Sequence, residues 1–148
     1  MTKRLLMSTP EQNIATARRF FESASNGTFD DFDEYMIPEF VTHGDALFPF
    51  FRGRDGMKGG IGGFKNAYPD AKLTVEQIFA DGDRVMAHIR VNGTQEKVWL
   101  GVPAKNEAQT WTSTTVIRFD KEGKMAERWV IEDELGMLQQ LGLAPKFR

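Results

Sequence analysis

The chain has 148 residues, with 19 Lys and Arg against 21 Asp and Glu, two His, no Cys and a formal charge of -2. The absence of Cys excludes disulfides, thiolate metal sites and a thiol nucleophile, and two His are too few for a three-His zinc site. The mixed, near-neutral charge gives no footprint for nucleic acid, so chemistry falls to carboxylates, imidazoles, hydroxyls and a few Arg or Lys.

Lys3 and Arg4 precede only Leu5, Leu6 and Met7, too short a core for a signal peptide. No apolar run approaches the ~20 residues that span a bilayer. A cytoplasmic protein with no membrane partner is expected, with residues 1–8 as a loose leader to a single domain over 9–148. Thr9-Pro10-Glu11-Gln12 predicts a helix start, with Thr9 as cap, Pro at the first helical position and Gln12 completing a capping box. Ile14, Ala17, Phe21 and Ala24 share one face of that helix, and Asn26-Gly27 ends it. Phe29 to Ile37 reads as a second helix stopped by Pro38. Phe40 to His43 reads as a short extended piece, and residues 44–53 as a loop rich in Phe and Pro. Asp55 is placed to cap a third helix, with Met57, Ile61, Phe64 and Tyr68 on one face and Pro69 ending it.

That third helix contains Gly59-Gly60-Ile61-Gly62-Gly63. It fails as a dinucleotide fingerprint, because Lys65 stands where a third Gly belongs and no strand leads into it. Each Gly weakens a helix interior by about 0.5–1 kcal/mol relative to Ala. The expectation is a helix that moves as a lid, stabilised by Ala at Gly60 and Gly62.

From Ala71 the period changes to two. Leu73, Val75 and Gln77 alternate with Thr74, Glu76 and Ile78. Asp81-Gly82-Asp83 is a turn, and Val85, Ala87, Ile89 and Val91 alternate with Met86, His88 and Arg90. Further strands are expected at Glu96–Leu100, Trp111–Phe119 and Met125–Ile131, the last two joined by a hairpin loop over 120–124. Asp133 to Leu141 reads as a terminal helix closed by Gly142. Helices first and antiparallel strands afterwards predict an α+β domain, a curved sheet wrapped around the first helix.

Several local runs, in this order, carry a resemblance. They are Ala17-Arg18-Arg19-Phe20-Phe21-Glu22, Pro38-Glu39-Phe40-Val41-Thr42-His43, Gly53-Arg54-Asp55-Gly56, Tyr68-Pro69-Asp70, and Gly82-Asp83-Arg84-Val85. Leu100-Gly101-Val102-Pro103, Ile117-Arg118-Phe119, and Gly123-Lys124-Met125-Ala126-Glu127-Arg128-Trp129 follow, continuing to Asp133 and Leu138-Gln139-Gln140-Leu141-Gly142. The ordered set resembles the SnoaL-like polyketide cyclases, ester cyclase type, of the ketosteroid-isomerase-like or nuclear-transport-factor-two-like superfamily. The resemblance implies a cone-shaped α+β barrel, metal-free and cofactor-free acid–base chemistry on a small apolar or aromatic substrate, and a homodimer joined through the outer sheet face. It implies that His43 stands at the pocket mouth and that the Glu127/Asp133 side of the last strand faces the cavity. The chain departs from the family at Arg128, often His there, and at His88, often Arg.

The residues themselves leave alternatives open. His43 is also a plausible loop His, and His88 a solvated one opposite the aliphatic face of its strand. Glu127 could pair with Arg118 or Arg90, and Asp133 could cap the terminal helix. Tyr35, Trp99, Trp111 and Trp129 are candidate cavity walls, and Ser113 and Thr115 candidate hydroxyl donors. Phe48, Phe50 and Phe51 lie in a loop that core packing does not require to be apolar, and are expected to cover a ligand. The expected reaction is proton abstraction by Asp133 or Glu127, aided by His43 and His88, leading to cyclisation, isomerisation or elimination. The competing reading is a non-catalytic binder or dimeric module of the same fold. A binder needs apolar walls only, whereas an enzyme needs an ionisable pair inside.

Overall fold

The structure is a computed structural model that describes residues 7–44, 49 and 51–147. It is an α+β fold with element order α1 (Pro10–Asn26), α2 (Phe32–Tyr35), β1 (Met36–His43), α3 (Gly53–Ala67), β2 (Lys72–Asp81), β3 (Arg84–Thr94), β4 (Ala108–Phe119), β5 (Met125–Glu132) and α4 (Glu134–Gln140). The first helix starts as its sequence predicts. Thr9 Oγ1 accepts from the Gln12 amide at 3.1 Å, and Gln12 Oε1 accepts from the Thr9 amide at 2.9 Å. Gly27 closes the helix at φ 71°, a left-handed conformation that Gly adopts without penalty.

The strands form one sheet in the order β1-β5-β4-β3-β2, with β1 parallel to β5 and the other pairs antiparallel. Val85, Ala87, Ile89 and Val91 of β3 and Trp111, Ser113, Thr115 and Ile117 of β4 are buried on one face. Against that face α1 packs Ala17, Phe20, Phe21 and Ala24, and α3 packs Met57 and Ile61.

Two expectations give way. The helix expected over Phe29–Ile37 shrinks to the single turn Phe32–Tyr35, because the chain from Met36 onward hydrogen-bonds to β5. Pro38 is tolerated because β1 is an edge strand whose register breaks between Met36 and Val41. The strand expected over Glu96–Leu100 is absent; only the isolated bridge Trp99–Val102 forms there, around a reversal with Leu100 at φ 51° and Gly101 at φ 76°.

Two bulges reset which side chains face inward. On β2 the register steps between Val75 and Gln77. Leu73, Val75, Ile78 and Ala80 therefore all pack on the core, where strict alternation would have turned Ile78 outward. At the start of β5, Phe119 pairs with Met125, but Arg118 pairs with Glu127. Ala126 is the extra residue. Continued without it, the Phe119–Met125 register would have placed Glu127 opposite Ile117 on the inner face; with it, Ile117 faces Arg128.

Candidate functional site

A cavity lies between the inner sheet face and the helices. Its floor is Leu73, Ile89, Val91, Trp111, Ser113, Thr115, Arg128 and Glu132, and its roof is Phe20, Phe21 and Ala24 of α1 with Met57, Ile61 and Phe64 of α3. Phe51 and Trp99 complete the wall from the loops. The empty space between the walls, counted out to the solvent at the mouth, is about 760 Å³. Among the described lining residues, the roof carries no polar side chain and the polar groups come from β4 and β5, so a ligand held here meets an apolar face above and one polar edge below.

Arg128 and Glu132 are the charged members of the described lining. Arg128 is 8% exposed, donates from Nε to Thr42 Oγ1 at 3.1 Å, and holds its guanidinium carbon 5.5 Å from the Phe51 ring centroid. Aromatic faces attract a guanidinium, which steadies a cation taken out of water. Glu132 sits four residues along the same strand face, about 13 Å of strand rise away, and pairs across the sheet with Ser113. Thr115 donates from Oγ1 to the Trp129 carbonyl at 3.1 Å.

The residues expected to carry the chemistry are placed elsewhere. Glu127 lies on the outer sheet face, a correction that follows from the Ala126 bulge. Its Oε2 is 2.7 Å from His43 Nε2 and its Oε1 accepts from Arg118 Nε at 2.9 Å. These two neighbours hold its carboxyl below the usual carboxylate range, His43 having the larger effect. His43 stacks on Trp129 at 5.2 Å between centroids, on the same outer face and outside the cavity lining. Trp129 is therefore no cavity wall either; the Arg84 guanidinium carbon lies over its ring, 5.1 Å from the centroid. His88 also points outward, with Nδ1 2.8 Å from Thr114 Oγ1. Asp133 falls one residue past the end of β5 and caps α4, accepting from the Gly136 amide at 2.9 Å. Free amides at a helix start attract a carboxylate, which accounts for this placement.

Tyr35 is buried beside Phe32 and under the Arg19 guanidinium, away from the cavity, and burial pushes its hydroxyl well above the ordinary range. Trp99, Trp111, Ser113, Thr115 and Phe51 do line the cavity. Phe48 and Phe50 lie outside the described residues. From the sequence Arg128 stood out only as a departure from the family, and Glu132 was not a candidate site residue. The signal that finds them is their pairing to Ile117 and Ser113, since residues opposite one another in an antiparallel sheet share a face.

The Gly-rich run of α3 also has a specific setting. A Cβ on Gly60 would fall within the Phe51 ring, so Gly60 is the notch in which that cavity-lining ring rests. Among the described residues, no cluster of three His, Asp or Glu is arranged to hold a metal ion, and no helix is long and apolar enough to cross a membrane.

The same architecture recurs in solved structures. TsrD from Streptomyces laurentii matches with a TM-score of 0.82 at 23% identity, over 93% of this chain and 99% of that one. A candidate polyketide cyclase from Acidithiobacillus ferrooxidans matches at 0.76 and 26%, over 94% and 100%. IdmH, a candidate polyketide cyclase from Streptomyces antibioticus, matches at 0.73 and 30%, over 91% and 99%. None of the curated proteins matches the chain. The family model of the SnoaL-like polyketide cyclases matches residues 15–141. That span takes in every described residue that lines the cavity, and the chain belongs to the SnoaL-like polyketide cyclase family, with its nuclear-transport-factor-two-like cone fold.

Proposed function

We propose that the protein is a cofactor-independent enzyme that moves a proton on an apolar, aromatic or polycyclic carbonyl substrate and so closes a ring. The observation that carries this reading is the placement of one carboxylate, Glu132, and one guanidinium, Arg128, along the polar edge of an otherwise apolar cavity. Glu132 takes a proton from a carbon beside a substrate carbonyl. The Arg128 guanidinium holds the enolate oxygen that develops, in a setting where water competes little for it. The carbanion end then attacks a second carbonyl of the same substrate, forming the carbon–carbon bond, and the proton returns from Glu132 to the new alkoxide. The base thus moves from Asp133 or Glu127, with His43 and His88 as helpers, to Glu132.

The experiment is deuterium exchange at the acidic ring carbon of 2-tetralone in D₂O, followed by proton NMR. Wild type is expected to accelerate exchange, and Glu132→Gln to lower the rate by about 10²–10⁴-fold, the usual effect of one general base. Wild-type exchange in that variant overturns the assignment. A non-catalytic binder is the second reading, favoured by the placement of His43, His88, Glu127 and Asp133 outside the cavity lining. It predicts 2-tetralone binding without accelerated exchange.

We further infer a homodimer joined through the outer sheet face. Val41, Phe79, Trp129 and Ile131 expose 43%, 53%, 37% and 76% of their surfaces on the side away from the described helices. Apolar exposure spread from β1 to β2 in this way marks an interaction surface.

A further inference from the structure

A residue of the cavity floor carries a buried donor without an acceptor. Trp111 is 5% exposed and lines the cavity, and its indole Nε1 is fully buried with no hydrogen-bond partner. Buried Trp N–H groups ordinarily find an acceptor, and one that does not calls for an explanation. The neighbours do not supply one. Phe64 and Tyr68 meet the Trp111 ring edge-on, at 6.0 and 5.9 Å between centroids. Gln109, two residues earlier on the same strand face, has its Oε1 engaged by the Tyr68 hydroxyl at 2.8 Å, and its Nε2 is itself a donor lacking a partner.

We propose that Trp111 is a specificity-determining residue whose indole N–H donates to an oxygen of the bound ligand. The ligand class is then narrower than apolar and aromatic. It carries a neutral acceptor, a ring carbonyl or ether oxygen, on the portion that lies over the first half of β4. This acceptor is separate from the oxygen that Arg128 holds further along the sheet. An unpaired donor in a dry wall discriminates strongly, because an oxygen-free analogue of the same shape leaves it unpaired. The inference rests on the cavity being the substrate site, and it does not depend on which residue is the base.

The test uses the full chain, labelled with nitrogen-15, with two probes of like shape: 2-tetralone, which has a carbonyl, and tetralin, which has none. The three Trp residues give three indole cross-peaks, and Trp111→Phe identifies one by its loss. The expected result is a downfield shift of the Trp111 indole proton with 2-tetralone and not with tetralin. Trp111→Phe is expected to weaken 2-tetralone binding by about 2- to 12-fold, the worth of one neutral hydrogen bond, and to leave tetralin binding unchanged. Equal weakening for both probes, or an indole proton unmoved when 2-tetralone binds, overturns the inference. Glu132→Gln is run beside it. Loss of exchange with the indole shift retained supports both readings, while retained exchange with the indole shift present removes Glu132 as base and leaves Trp111 in place. Failure of both probes to bind removes the cavity as a ligand site and the inference with it.

Discussion

Glu127 shows how a side chain with the composition of a catalytic group can lie in an ion-paired cluster outside the cavity lining. A carboxylate near Trp and His in the last strand has the composition of an acid–base centre, yet its two oxygens are taken by His43 and Arg118 on the outer face. Those contacts lower its pKa from the ordinary 4.5. A carboxyl depressed in the folded state stabilises the fold above its unfolded pKa, and that contribution is lost as pH falls through the folded value. Denaturant unfolding of Glu127→Gln should therefore show a shallower loss of stability below pH 4.5 than wild type, with the two curves parallel above it. Parallel curves throughout would remove the ion pair's role. The same substitution is expected to leave 2-tetralone exchange unaltered, which separates Glu127 from Glu132.

At the level of elements, the glycines of α3 are not interchangeable. A Cβ at Gly62 meets Phe29 at an ordinary 3.5 Å, whereas at Gly60 it meets the Phe51 ring. Gly62→Ala should stabilise the protein by about 0.5–1 kcal/mol, through helix propensity alone. Gly60→Ala should destabilise it and displace Phe51 from the cavity wall, so the expected joint benefit of Ala at both positions does not hold. Thermal melts of the two single variants check the opposite signs. The elements themselves were legible where the signal is local. Thr9, Pro10 and Gln12 announce α1, and Gly82 the β2–β3 turn. They were not legible where pairing decides: Met36 and Ile37 are extended because β5 lies beside them, and no helical period in residues 29–37 can report that. Likewise Glu76 and Ala126 carry no mark of a bulge, since either residue fits regular alternation.

For the whole molecule, the fold followed from element order and motif order, and Phe51, Trp99 and Trp111 of the expected walls line the cavity, while Tyr35 and Trp129 do not and the cavity's charged pair was not expected. Trp129 and Ile131 are more apolar than Arg128 and Glu132, so amphipathicity alone turns β5 the wrong way round. The structure leaves Trp129 and Ile131 on an uncovered face, the surface assigned above to a second copy of the chain. Light scattering should give twice the chain mass for wild type. Ile131→Glu, in the middle of that face, should shift the protein to monomer while leaving its circular dichroism unchanged. A wild type that is monomeric at high concentration would remove the dimer.

The extra residue at Ala126 has a consequence for reading relatives of this protein. Glu127-Arg128-Trp129-Val130-Ile131-Glu132 presents Glu to either side of the sheet depending on a single insertion, so two chains with the same motif can differ in which carboxylate meets the ligand. An alignment that matches them letter for letter would transfer a residue's role onto its mirror position. Whether a gap of one falls before this motif is therefore a chemical distinction, and counting residues between Phe119 and the motif is the way to detect it.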